Sequence, residues 1–283
     1  MRADHRFFSV DGLRLHALQF GGEGRPMLLL HGAMGHAWSW VDVAGQLTLW
    51  GRVFALDLRG HGDSQWSASQ AYSTNRVAQD VAAVIEELGE PADVVGLSWG
   101  GLVALRLAAR RPDLIRRLAV LNPPLDIEAS VGEVAPGPYQ FTSRADLYRW
   151  ERGANPAVPS RLTDLVADHS VRPGPDGSLA RKHDPFFERS WPDPRERFEE
   201  DWAALRSPTL LVRSASSPVL DADTFAAMLA AQPRAVGQTI PESGHLLVLD
   251  QPVAVADALE SFVREEVVDA SVAGPRPEAV TPN

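Results

Sequence analysis

Cysteine is absent from the 283 residues, which excludes disulfides, thiolate metal sites, iron–sulfur clusters and a thiol nucleophile. Lysine is nearly absent as well: Lys182 is the single lysine among 27 basic residues, the rest being arginine. Basic charge is in deficit, 27 against 37 acidic residues, for a formal charge of -10. Such a surface repels polyanions and anionic lipid, so neither nucleic acid nor a membrane is an expected partner. No apolar run approaches the roughly 18 residues needed to span a bilayer. The N-terminal stretch MRADHRFFSVDGLRLH lacks the apolar segment of a secretory signal. The expectation is a soluble, cytoplasmic protein. What is present is ordinary for a folded chain, 45% hydrophobic and 23% charged residues, enough to bury a large core.

Short apolar runs alternate with helical stretches. Residues 6–10 and 13–20 flank Asp11-Gly12, a pair suited to the positive φ angles of a tight hairpin. The runs at 26–30, 53–58, 92–97 and 118–121 carry no polar alternation, as expected of strands covered on both faces. Between them, residues 74–88 place Val77, Val81, Val84, Ile85 and Leu88 on one helical face, with Ser73 as N-cap and Gly89 just past the end. The same grammar returns with strands at 209–213 and 235–240 and a helix over 252–263. Strand followed by helix, repeated, predicts an α/β fold with a mostly parallel, doubly wound, eight-stranded sheet. Residues 125–200 break the rhythm and read as a mainly helical cap insertion, with helices near 143–152 and 160–169. The core then comprises 1–124 and 201–268, and 269–283 is too poor in apolar residues to pack and reads as a disordered tail.

GLSWGG, residues 96–101, joins the apolar run ADVVGL to the helical LVALRLAARR. Composition alone predicts about 0.1 chance occurrences of Gly-x-Ser-x-Gly, and its position between strand and helix sharpens it further. A serine on so sharp a turn projects its hydroxyl above the sheet edge, while flanking glycines let neighbouring backbones approach. Ser98 is therefore the candidate nucleophile, and a serine needs a base. Of the eight histidines, His245 follows the last strand and precedes the last helix. In a parallel sheet it emerges at the same edge as Ser98, which makes it the candidate base. HGAMG, residues 31–35, ends another strand, and the amides of Ala33 and Trp99 can form an oxyanion hole. His31 is expected to order that turn, and Asp57, Arg59 and His61 of DLRGHGDS to lock loops together, with Asp63 as a charged lip.

These pieces in this order resemble the α/β-hydrolase superfamily over about residues 5–265: HGAMG as oxyanion loop, DLRGHGDS as the signature after the fourth strand, GLSWGG as nucleophile elbow and ESGH as histidine loop. The resemblance implies Ser98 as nucleophile, His245 as base and Ala33 and Trp99 as oxyanion amides. Serine at the elbow, where haloalkane dehalogenases and epoxide hydrolases have aspartate, argues against those two chemistries. The family's acid does not appear where it is expected, because LLVRSASSPVLDADTF has Ser216, Ser217 and Pro218 there. Asp221 is the first alternative, although Asp221 and Asp223 also suit a helix cap. Asn122, at the end of the sixth strand, is the second; it can hold an imidazole tautomer but cannot offset its charge.

Cap aromatics (Tyr139, Phe141, Tyr148, Trp150, Phe186, Phe187 and Trp191) suggest an apolar pocket, with His31, Met34, Trp150 and Phe186 as candidate substrate contacts and His183 and Asp184 as a hinge. The expected activity is a cofactor-independent, metal-free serine hydrolase cleaving an ester or related acyl bond of a small apolar substrate. A C–C bond hydrolase or cofactor-free lyase on the same fold is the first alternative, and a ligand-binding module with weak or no turnover the second. The sequence leaves a homo-oligomer open.

Overall fold

The computed structural model describes residues 2–125, 137–174, 176–190, 196–217 and 219–272. In chain order the strands are β1 (Asp4–Val10), β2 (Leu13–Gly21), β3 (Pro26–Leu30), β4 (Arg52–Leu56), β5 (Ala92–Leu97), β6 (Ile115–Leu121), β7 (Gln140–Phe141), β8 (Val171–Pro173), β9 (Leu179–Arg181), β10 (Thr209–Ser214) and β11 (Ala235–Ile240). The α-helices are α1 (Val41–Leu47), α2 (Thr74–Leu88), α3 (Trp99–Arg110), α4 (Arg144–Ala154), α5 (Ser160–Ser170), α6 (Glu199–Ala203), α7 (Ala222–Ala231), α8 (Leu247–Asp250) and α9 (Pro252–Val272). Eight strands form one sheet in the order β1-β2-β4-β3-β5-β6-β10-β11. The first two pairings, β1 with β2 and β2 with β4, are antiparallel; all the others are parallel. Asp11 and Gly12 make the hairpin turn at φ 49 and 74, the geometry that a two-residue connection demands.

Strands β3 and β5 are buried at every position, because alternate residues feed two cores. Leu28, Leu30, Val94, Leu118 and Val120 pack against α2 and α3 on one face; Met27, Leu29, Val95, Ala119 and Leu121 pack against α1 and α9 on the other. Helix α2 has the expected ends: the Ser73 hydroxyl accepts from the Arg76 amide, and Gly89 at φ 86 closes it. Six parallel strands pointing the same way bring the loops after β3, β4, β5, β6, β10 and β11 to one edge, where open α/β sheets place their ligands.

Over this edge the insertion is not helical alone. Besides α4 and α5 it contains a three-stranded antiparallel sheet, β7-β9-β8, whose two- and three-residue strands are too short to show a period in sequence. Helix α9 runs to Val272, four residues into the stretch read as a disordered tail; residues 273–283 lie outside those described.

Candidate active site

The turn from β5 to α3 holds Ser98 at φ 54 and ψ -121, a left-handed conformation that a non-glycine residue adopts only when the surroundings impose it. The imposition is visible in the packing. A Cβ on Gly96 would lie 2.2 Å from the Gly100 carbonyl oxygen, and one on Gly100 would lie 2.4 Å from that of His31. The Ser98 amide donates to the Leu121 carbonyl at 2.8 Å, while its own carbonyl accepts from Gly101 and Leu102 and starts α3. The side chain is thereby left at the helix N-terminus, facing out of the sheet edge.

His245 meets it there. The Ser98 hydroxyl donates to His245 Nε2 at 3.0 Å across 147 positions of chain. Burial alone pulls the imidazole down to about 4, so the ring is neutral at neutral pH and its Nε2 lone pair is available. On the other side, His245 Nδ1 faces the Ser217 hydroxyl at 3.5 Å. Neither expected orienter occupies that place. Asp221 is exposed at the start of α7, where its carboxylate accepts from the Thr224 amide at 2.8 Å and the Thr224 hydroxyl at 3.0 Å. It is a helix cap, as the run into Thr224 and Phe225 favours. Asn122 reaches the histidine loop but not the ring: its Nδ2 donates to the His245 carbonyl at 3.2 Å and to the Ser214 hydroxyl at 3.0 Å, while its Oδ1 accepts from the Ser214 amide at 2.8 Å.

The HGAMG turn lies against the elbow, since a Cβ on Gly32 would come within 3.2 Å of Ser98 Cβ and 3.8 Å of its Oγ. The Ala33 amide has no hydrogen-bond partner among the described residues, and Trp99 is the first residue of α3. Two buried histidines fix this turn. His31 Nδ1 donates to the Gly32 carbonyl at 2.7 Å and its Nε2 accepts from the Leu58 amide at 3.0 Å. His61 Nδ1 donates to the Arg59 carbonyl and its Nε2 accepts from the Met34 amide, both at 3.1 Å. Burial lowers both rings below the ordinary histidine value. His31 thus orders the turn, as expected; with both nitrogens taken it offers a substrate no polar contact, which corrects only its place among the candidate substrate contacts. Met34, at φ 59, stays half-buried beside Ala33.

Asp57, Arg59 and Asp63 also serve the loops. The Asp57 carboxylate accepts from the Ala37 amide at 2.6 Å, the Asp63 amide at 2.9 Å and His16 Nδ1 at 2.7 Å; against the cost of burial, the His16 hydrogen bond, the attraction of the His16 and His31 rings and the Asp63 amide hold it down at about 2. His16, Asp57 and Asp63 are close enough to share a metal ion, within 4.8 Å, yet the Asp57 oxygens are already filled by those donors. Arg59 forms a buried ion pair with Asp80. Asp63 is not a free lip of the site, because Lys182 of the cap pairs with it at 2.7 Å.

The cap aromatics divide. Trp150 lies with Phe141, Leu147 and Val171 in a small core internal to the cap, under the Arg181 guanidinium, and is corrected from substrate contact to cap packing. Phe186 packs on Tyr72, with ring centroids 5.2 Å apart. Phe187, grouped in the sequence with the pocket aromatics but not with the substrate contacts, packs with its ring 4.3 Å from His61 and 5.7 Å from Trp99. It is set there by Asp184, which accepts from the Tyr72 hydroxyl at 2.5 Å and caps the 3-10 turn over Pro185–Glu188. His183 pairs with Glu188 at 2.5 Å. Trp191 lies outside the described residues.

A doubly wound sheet with a strained nucleophile turn after its fifth strand and a histidine after its last is the arrangement of the α/β hydrolases. The chain belongs to that family: the model described as alpha/beta hydrolase family matches residues 27–258. Esterase Rv0045c of Mycobacterium tuberculosis is 31% identical over 271 residues, covering 90% of this chain and 88% of its own. Its crystal structure aligns with a TM-score of 0.79 at 27% identity, over 93% of this chain and 92% of that one. The 2-hydroxymuconate semialdehyde hydrolase of a Pseudomonas species is 26% identical over 264 residues, 90% of this chain and 92% of its own. No helix among the described residues is long and apolar enough to cross a membrane.

Proposed function

We propose that the protein is a cofactor-independent serine hydrolase that cleaves an ester or related acyl bond of a small, largely apolar substrate through an acyl-enzyme. The observation that carries this reading is the 3.0 Å contact between Ser98 Oγ and His245 Nε2 at a turn whose backbone strain aims the serine outward. His245 takes the hydroxyl proton as Ser98 attacks the carbonyl carbon, and returns it to the leaving group as the acyl bond breaks. The amides of Ala33 and Trp99 receive the oxyanion, reinforced by the N-terminus of α3. Water then repeats the sequence on the acyl-enzyme. Phe186 and Phe187 of the cap, with Met34 of the HGAMG turn, supply apolar surface for the acyl or alcohol part. The esterase at 31% identity supports the ester reading. The relative that hydrolyses 2-hydroxymuconate semialdehyde favours the second reading, a C–C bond hydrolase using the same serine and histidine.

The test is a fluorophosphonate probe together with p-nitrophenyl acetate, applied to the wild type and to Ser98→Ala. The wild type is expected to label at Ser98 and to release nitrophenol, with both signals falling at least about a hundredfold in the variant. Equal signal from the two proteins would overturn the reading. Thermal stabilisation by ligands without adduct or product would point instead to a binding module. Profiling on vinylogous diketone substrates separates the C–C reading from the ester one.

A further inference from the structure

Beside His245, on the side away from Ser98, the family's carboxylate is replaced by an uncharged oxygen. Ser217 follows β10 in the loop that places its side chain next to the ring; it is 8% exposed, and its Oγ lies 3.5 Å from Nδ1. The same oxygen accepts from the Val219 amide at 3.1 Å, which fixes the hydroxyl in place. The backbone around it is tied down from two directions, by the Ala215 amide to the Ile240 carbonyl at 2.9 Å and the Ser216 amide to the Ser243 carbonyl at 3.1 Å. The acids on the histidine loop point elsewhere. Asp250 of α8 accepts from the Gly244 amide at 2.8 Å, and Glu242 is exposed. From β6, Asn122 holds only the His245 carbonyl.

We propose that Ser217 is the positioning residue of this site, accepting the Nδ1–H of His245 and so presenting the Nε2 lone pair to Ser98, without supplying a counter-charge for the imidazolium. The proposal rests on the serine hydrolase reading. Through the cycle the mobile proton passes from Ser98 Oγ to Nε2 and on to the leaving atom, while the Nδ1 proton stays on its nitrogen and Ser217 neither gains nor loses one. A neutral acceptor fixes the tautomer, the part of an acid's task that geometry performs, but leaves undone the part that charge performs. Position 217 is therefore where activity can be raised: a carboxylate there reaches about 1 Å farther than a hydroxyl, into the range of a charge-assisted hydrogen bond to Nδ1.

The test uses the full chain as wild type, Ser217→Ala and Ser217→Asp, with Ser98→Ala as control. Long-range proton–nitrogen NMR of the wild type at neutral pH, with the His245 signals assigned by their loss in His245→Gln, is expected to show Nδ1 protonated and Nε2 bare; the opposite tautomer overturns the proposal. On p-nitrophenyl acetate, Ser217→Ala is expected to lower kcat about tenfold with KM within about twofold. Ser217→Asp is expected to raise kcat about tenfold or more and to introduce an inflection near the ordinary histidine value of about 6.5 into a pH profile that is flat there in the wild type. Unchanged kcat and unchanged profiles in both variants, with Ser98 still labelled by fluorophosphonate, overturn the proposal and leave the hydrolase reading standing. Equal labelling of wild type and Ser98→Ala removes the hydrolase reading instead, and the tautomer then decides the hydrogen bond alone. Should Ser217→Asp not fold, the tautomer and Ser217→Ala still decide.

Discussion

Gly100 shows how far single atoms control the site. A Cβ there would sit 2.4 Å from the His31 carbonyl oxygen and 2.6 Å from that of Leu30, and both are backbone atoms that cannot rotate away. Gly100→Ala must push the HGAMG turn from the elbow. It is expected to lower stability by about 3 kcal/mol, measured by chemical denaturation, and to slow fluorophosphonate labelling of Ser98 by more than about tenfold, because the Ala33 amide moves with the turn. Gly153 near the end of α4 is the internal control, since a Cβ added there meets nothing within 4 Å. Gly153→Ala is expected to leave labelling unchanged and stability equal or higher by about 0.5 to 1 kcal/mol, the ordinary gain of alanine over glycine in a helix. Equal effects of the two substitutions would mean that the glycines of the elbow serve chain flexibility and not close backbone approach.

The ends of the parallel strands carry the site as a set, and Asn122 ties three of them together. It sits at φ 45, a conformation that asparagine tolerates better than most residues, and joins β6 to the Ser214 amide and hydroxyl at the end of β10 and to the His245 carbonyl after β11. Asn122→Ala strands a buried amide and keeps the strained φ; it should cost about 3 kcal/mol of stability and lower kcat about tenfold with little change in KM, read from denaturation and from steady-state kinetics. What was legible at this scale followed from periodicity and strand polarity. The burial of β3 and β5, the ends of α2, and the arrival of Ser98 and His245 at one sheet edge all come from local patterns repeated along the chain. The partner of the imidazole did not. A serine in a Ser-Ser-Pro loop carries no sequence mark of facing a ring 28 positions later, whereas an aspartate draws attention through its charge. That attention fell on Asp221, which the start of α7 already occupied as a cap. The pairing of Lys182 with Asp63, and the approach of Phe187 to Trp99, likewise depend on how the cap docks on the core, a long-range contact that no period encodes.

Across the whole molecule the buried histidines dominate the response to acid. His31, His36, His61, His169, His183 and His245 are all held below the ordinary value of 6.5, first by burial, with His36 at about 3 and His245 at about 4. A histidine whose pKa is lowered by folding binds its proton more readily in the unfolded chain. Its neutral form therefore supports the fold fully above about 6.5, and that support is lost as pH falls from there toward the folded-state value. Asp57 behaves as depressed carboxylates do: its contribution is complete above 3.8 and lost on the way to about 2. The histidine window therefore comes first. Below pH 6 unfolding takes up at least the protons of His36 and His245, a slope of about 2.7 kcal/mol per pH unit from these two alone, against a total stability of about 5–15 kcal/mol for an ordinary domain. Denaturation midpoints are expected to be level from pH 8 to 7 and to fall progressively as pH drops below 6. His36 isolates one share of this, because its Nδ1 is buried with no hydrogen-bond partner among the described residues. Replacing it, His36→Phe, removes a titrating group without breaking a hydrogen bond at that nitrogen, so stability at pH 7.5 is expected to change by less than about 1.5 kcal/mol while the acid slope drops by about one proton. An unchanged slope in that variant, or a wild type that keeps its full stability down to pH 4, would move the origin of acid sensitivity from these rings to the carboxylates of the surface ion pairs.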